Sequence, residues 1–196
     1  ERNRLVYQDE RGLLDLPLPV LPGAHQIYNA GAALAALRHL DLPETRFEAA
    51  VTRAQWPARL QRLKTGPLKD IAPDADLWLD GGHNAAAGQA LASHLAQQSL
   101  RPTYLICGML NTKDVAGYLA PMAPYVAELF AVSIPGEANT LPAETTATAA
   151  KSVGMAATAA DTVNAAVAKI LKSDPASRIL ICGSLYLAGQ ILRENA

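Results

Sequence analysis

An α/β fold built on a mostly parallel sheet is predicted by three features of this 196-residue sequence. Short apolar runs recur from Asp76 onward: "DLWLD", "TYLICG", "ELFAVS" and "RILICG". Stretches rich in helix formers, about ten to fifteen residues long, lie between or after them. Glycine follows three of the runs at once or after one acid, in "LDGGHN", "ICGMLNTKD" and "ICGSLYL". Strand–helix alternation of this kind indicates βαβ units, and unbroken apolarity fits strands buried on both faces. The expected architecture is a Rossmann-like sheet flanked by helices.

Taken in order, Glu1 to Asp15 reads as one or two short strands around an "ERG" turn, with few apolar residues to bury. "LPLPVLPG" must run extended, because proline fixes φ and pushes its predecessor out of the helical region. "AHQIYNAGAALAALRHL" is a helix through Leu40, and "PETRFEAAVTRAQ" a shorter one with Pro43 near its first turn. "WPARL" breaks the pattern, placing a domain boundary near Arg53 to Trp56, with units 1–53 and 54–196. Beyond it, helices are expected over Ala85–Gln98, Lys113–Met122, Ala143–Val153, Thr162–Lys172 and Leu185–Glu194. "QRLKTG" and "MAATA" are weak candidates for strands at the sheet edges. The segment before Arg53 lacks the alternation, and its strands have no evident partners.

Composition narrows the function. A net charge of −1 gives no reason to expect nucleic acid or an anionic membrane as partner. No apolar stretch reaches the roughly 20 residues that cross a bilayer, and "ERNRLVYQDERG" has no apolar core for a secretory signal. Cys107 and Cys182, each ending an apolar run in the tripeptide Ile-Cys-Gly, read as buried thiols in a reducing compartment rather than as a disulfide. The chain therefore reads as cytoplasmic and soluble. There is no G-x-x-x-x-G-K-[ST], no G-x-G-x-x-G after the first strand and no G-x-S-x-G, which disfavours a P-loop, a nicotinamide site and a hydrolase elbow in this chain.

In an open parallel sheet, ligands gather beyond the carboxyl ends of the strands. Asp80 ends one strand and could accept hydrogen bonds from a ribose or an amine. His83 could donate to a phosphate or orient a substrate; alternatively it is solvated while Asn84 caps the next helix. Lys113 could pair with a substrate carboxylate or be an exposed lysine at a helix start. Ser184 could bond an anion at a helix N-terminus, serve as its N-cap, or do both. His39 and His94 read as helix-surface positions. No Cys/His/Asp/Glu cluster has zinc-ligand spacing.

Five segments together resemble one family. "LPGAHQIYNAGAALAAL" resembles the helix joining the central and C-terminal domains of folylpolyglutamate synthase/dihydrofolate synthase, a member of the Mur ligase group. "WPARLQRL" is similar to its W-P-G-R opening, "LDGGHNAAAGQAL" to its D-G-A-H-N-P motif, "ICGMLNTKDV" to its G-x-x-x-D-K-D region, and "ILICGSLYLAGQIL" to its closing strand and helix. Here Ala58 stands for the usual glycine, Gly82 for alanine, Ala85 for proline, and "NTKD" for D-K-D.

The resemblance implies a Mur-ligase-type C-terminal domain preceded by a partial segment of a central ATPase domain. It implies an ATP- and Mg2+-dependent ligase in which a phosphorylated carboxylate is attacked by L-glutamate, with dihydropteroate or a tetrahydrofolate as the other substrate. On that resemblance Asn29 lies near the adenine, Arg59 reaches the phosphates, Asp80 holds the ribose, and His83 sits by the nucleotide or the reacting centre. Lys113 and Ser184 face the glutamate. The P-loop and magnesium ligands would lie in the central domain, before Glu1, so the chain alone is expected to be inactive, with that domain as its partner and a monomeric state. The alternatives are a stand-alone Rossmann-like binding module and the C-terminal domain of a peptidoglycan Mur ligase.

Overall fold

A computed structural model describes residues 3–195; Glu1, Arg2 and Ala196, and with them the start of the strand expected from Glu1, lie outside the described residues. The chain forms two compact units, Glu1–Pro57 and Ala58–Ala196.

In the first unit, β1 (Arg4–Asp9) and β2 (Gly12–Pro17) pair with each other in antiparallel register, Leu5 opposite Leu16 and Tyr7 opposite Leu14. The sequence had suggested strands without partners; the hairpin supplies them, because the "ERG" turn is tight enough to bring the two runs back to back. Leu5, Leu14 and Leu16 bury against Ala30 and Leu34 of α1 (His25–His39) and Phe47 and Val51 of α2 (Phe47–Thr52). A one-turn 3-10 segment, Glu44–Arg46, precedes α2, splitting the single short helix expected there. Arg38 is buried in this unit and ion-paired with Asp9 and Glu44. Its charge is therefore compensated, as a buried guanidinium requires.

The second unit carries the sheet. Its strand order is β3-β4-β8-β5-β6-β7, where β3 is Gln61–Arg62, β4 Asp76–Leu79, β5 Thr103–Cys107, β6 Glu128–Ala131, β7 Ala157–Ala159 and β8 Arg178–Cys182. Strands β4 to β8 run parallel, and the two-residue β3 pairs antiparallel at one edge. Both weak edge candidates thus become strands. The two Ile-Cys-Gly strand ends are neighbours, with Cys107 and Cys182 in Cα register.

Helices cover both faces. The links from β4 to β5, β5 to β6 and β6 to β7 all advance in one direction across the sheet. Right-handed crossovers then put α4 (Ala85–Leu95), α5 (Val115–Leu119) and α6 (Ala143–Ser152) on one face. There Leu91, Tyr118, Leu119 and Ala147 pack on Leu105, Leu129 and Leu180. The link from β7 to β8 turns back, so α7 (Val163–Ser173) lies on the other face, together with α8 (Leu185–Glu194). Val167, Ile170, Leu187 and Ile191 pack there on Leu77, Ile106 and Ile179. A short helix, α3 (Pro67–Ile71), was not expected; Pro67 at its first position starts it and Leu68 and Ala72 fix it to this face. The helix expected over Lys113–Met122 is shorter. Asp114 caps α5, and Pro121 and Pro124 turn its continuation into a 3-10 segment, Ala120–Tyr125.

Candidate functional site

The reversal in crossover direction creates the place where a ligand fits. The connections leaving β4 and β5 go to one face and the connection leaving β8 goes to the other. Their carboxyl ends therefore part on both sides of β8, the situation in which open α/β sheets bind ligands. Asp80 and His83 follow β4, Ser184 follows β8 and Lys113 follows β5. Three adjacent parallel strands thus bring all four to one rim.

Their states differ. Asp80 is 4% exposed, and both oxygens already accept from the backbone: Oδ2 from Leu60 N–H at 2.8 Å and Oδ1 from Gly82 N–H at 2.7 Å. This is a structural clamp, unlike the open carboxylate expected of a ribose partner. Ser184 is 3% exposed and caps α8, its Oγ accepting from Tyr186 N–H at 3.1 Å. Gly183 before it has φ +104°, and a Cβ there would come within 3 Å of the Gly108 carbonyl and both neighbouring sulfurs, so only glycine admits this approach of β8 to β5. Asn84 caps α4 by accepting from Ala87 N–H at 2.9 Å. His83 is half-buried, its Nδ1 lying 3.1 Å from the Gly81 carbonyl. Lys113 is half-buried too, immediately before the cap of α5, and its ammonium makes no hydrogen bond or ion pair among the described residues.

Arg59 joins this rim through its neighbours. Ala58 accepts from Gly81 N–H at 2.8 Å and Leu60 donates to Asp80, so the segment is stitched to the end of β4 on either side of Arg59. Ala58 and Leu60 both adopt left-handed backbone, φ 57° and 46°. Such conformations cost an L-residue roughly 1–2 kcal/mol and persist where surrounding bonds over-determine them. The half-buried guanidinium between them has no hydrogen bond or ion pair among the described residues. The first hydrogen bond to Ala58 also explains why the second unit begins at Ala58, just past the Arg53–Trp56 stretch.

Sequence reasoning missed this stitch. The signal for it was Ala58, standing where the related motif carries glycine. Asn29 lies in the first unit, exposed on α1, its Nδ2 donating to Gln26 Oε1 at 3.0 Å.

Electrostatically, the rim offers two uncommitted cations around a buried carboxylate. A guanidinium fork suits phosphate oxygens; a lysine suits a carboxylate as a point charge. Among the described residues there is no group of three or more His, Cys, Asp or Glu that could hold a metal ion. None of its helices is long and apolar enough to cross a membrane.

The fold and this rim define the C-terminal α/β domain of the Mur-ligase type. Residues 68–194 match the family model of the dihydrofolate synthetase C-terminal domain, and the chain belongs to that family. A folylpolyglutamate synthase of Lacticaseibacillus casei is 27% identical over 195 residues, covering 96% of this chain and 42% of that protein. A dihydrofolate synthase/folylpolyglutamate synthase of Mycobacterium tuberculosis is 36% identical over 121 residues. Among solved structures, E. coli FolC in complex with DHPP and ADP superposes with a TM-score of 0.76 at 26% identity, over 94% of this chain and 42% of that one. Mycobacterium tuberculosis folylpolyglutamate synthase complexed with ADP and AMPPCP gives 0.77 at 27%, over 94% and 43%. The chain spans about two fifths of the length of the Lacticaseibacillus protein and of both solved chains, and its match to the Mycobacterium sequence covers 56% of this chain and 22% of that protein.

Proposed function

We infer that this chain is the C-terminal part of a folylpolyglutamate synthase/dihydrofolate synthase, an ATP-dependent ligase that joins L-glutamate to dihydropteroate or a folate through an acyl phosphate. The observation that carries the reading is the placement of Arg59 and Lys113, two unpaired cations, at one carboxyl rim beside the reversal at β8. Relatives described as complexes with ADP, and one described with Mn, AMPPNP and L-glutamate bound, support it.

The chemistry must hold two anions together and neutralise charge as phosphate departs. Arg59 faces the phosphates, and its fixed backbone means little ordering remains to be done on binding. Lys113 and the Ser184 turn face the carboxylate of the incoming glutamate, and His83 lies beside the nucleotide or the reacting centre. Asp80 acts chiefly by holding Leu60 and Gly82, and any contact with a ribose would use its remaining lone pairs. Asn29 faces the adenine. Magnesium and the P-loop belong to the central domain, of which 1–53 is the tail, and that domain is the chain's partner. ATP with its metal supplies the activated phosphate. The buried thiols of Cys107 and Cys182 suit a cytoplasmic setting.

The reading is tested in the full-length protein. Arg59→Ala should lower nucleotide-dependent glutamate ligation about tenfold, equivalent to about 1.4 kcal/mol of transition-state stabilisation. An unaltered rate removes Arg59 from the mechanism. Ligation by residues 1–196 alone would overturn the division of labour between domains.

A further inference from the structure

At the opposite end of the strands, where β4 and β8 begin, lies a pocket of about 330 Å3. Arg62, Lys64, Lys69 and Arg101 line it, against the carboxylates of Asp74 and Asp76. Strand register crowds this end: Asp76 and Thr103 are both Cα partners of Arg178.

Arg178 is 5% exposed. Its Nη1 donates to Thr103 Oγ1 at 3.2 Å and its Nη2 to Ser99 Oγ at 3.4 Å. Nε stands 3.7 Å from Asp76 Oδ2, an ion pair beyond hydrogen-bond reach, and has no hydrogen-bond partner among the described residues. The other oxygen of Asp76 is taken by Arg62 Nε at 2.7 Å. One carboxylate therefore serves two guanidiniums. Lys69 spends its ammonium on the carbonyls of Pro73 and Ala75, each at 2.8 Å, which leaves its charge unneutralised. Lys64 and Arg101 are exposed and form no ion pair among the described residues. Burial first, and then the charges of Arg101 and Arg62, press the Arg178 guanidinium toward losing its proton, against the pull of Asp76. Arg62, Lys64, Lys69 and Arg101 line the pocket against only Asp74 and Asp76, so among the described residues its lining carries an excess of positive charge.

We propose that this pocket binds a small multivalent oxyanion, a phosphate or a polycarboxylate, at a site separate from the carboxyl rim. Closely spaced anionic oxygens match the guanidinium forks of Arg62 and Arg101, and Lys64 and Lys69 add point charges. This site does not depend on the ligase reading, since it lies at the other end of the strands.

Pyrophosphate and citrate, titrated separately into the isotopically labelled chain, distinguish the two sources. Amide resonances of Lys64, Asp74 and Arg101 should move with one or both, while chloride at equal ionic strength leaves them in place. The double variant Lys64→Ala/Arg101→Ala changes only exposed side chains, and it should weaken the tighter ligand about fivefold. Arg59→Ala should leave that affinity unchanged. An absence of shifts, shifts confined to His83, Lys113 and Ser184, or full affinity in the double variant would overturn the proposal.

Discussion

Leu60 donates its backbone N–H to Oδ2 of Asp80 at 2.8 Å, a bond between residues twenty positions apart that anchors the backbone beside Arg59. With the Gly82 N–H on its other oxygen, Asp80 ties the end of β4 both to the loop before β3 and to the turn leading to α4. Replacing Asp80 by Asn should leave one of these backbone donors facing an amide N–H. The cost of an unsatisfied buried donor is about 1–3 kcal/mol. Urea unfolding should show a lower midpoint; an unchanged midpoint would mean the clamp contributes nothing.

Ala58→Gly is expected to stabilise the chain. Relief of left-handed backbone returns roughly 1–2 kcal/mol, and the extra freedom of glycine in the unfolded chain takes back about 0.4–1 kcal/mol. The net gain should lie between about 0 and 1.6 kcal/mol, read as a higher urea midpoint at constant slope. Leu60→Gly relieves the same strain but deletes a side chain only 3% exposed. Losing such a leucine costs about 2–5 kcal/mol, so this variant should be destabilised. Equal effects of the two would contradict the backbone argument.

Acid stability should depend on Asp76. Burial works to raise its pKa, but the nearby Trp78 indole, the Arg62 hydrogen bond and the Arg62 and Arg178 charges together hold it below the ordinary carboxylate value. A group depressed in the folded state stabilises above its unfolded pKa, about 3.9 for aspartate, and that stability is lost as pH falls through the folded value. Stability measured downward from about pH 5 should therefore decline, and Asp76→Asn should flatten part of the decline. A parallel curve for the variant would count against it.

The two cysteines should be inert in the native chain. The Cys107 thiol is pushed well above its usual value by its hydrogen bond with Cys182 and then by burial. Since the thiolate is the reactive species and Cys182 is shielded by burial, 1% exposed, a thiol reagent at about pH 8 should label neither residue until denaturant is added. Rapid native labelling would show that β5 and β8 open locally.

Much of the fold was legible in local pattern. The apolar runs at β4, β5, β6 and β8 and the helix Leu185–Glu194 stand where continuous apolarity and helix formers put them, because burial on both faces of a parallel strand leaves no polar position to confuse the reading. Helix ends were less legible at α5, where two prolines redirect the chain after its cap, and α3 escaped notice because five residues give no periodicity. The pairing of β1 with β2 depends on a turn rather than on apolar content.

The candidate site divides in the same way. Residue pattern alone put Asp80, His83, Lys113 and Ser184 after strand ends, and Arg59 was expected beside them only on the family resemblance. Only the tertiary structure decided that β8 inserts between β4 and β5, so that these ends become neighbours. It also decided that the Asp80 carboxylate holds two backbone donors while Arg59 and Lys113 keep their charges uncommitted among the described residues. Strand order and hydrogen-bond partnership are non-local, set by which surfaces bury together and which donors are left over, and no stretch of sequence carries them by itself.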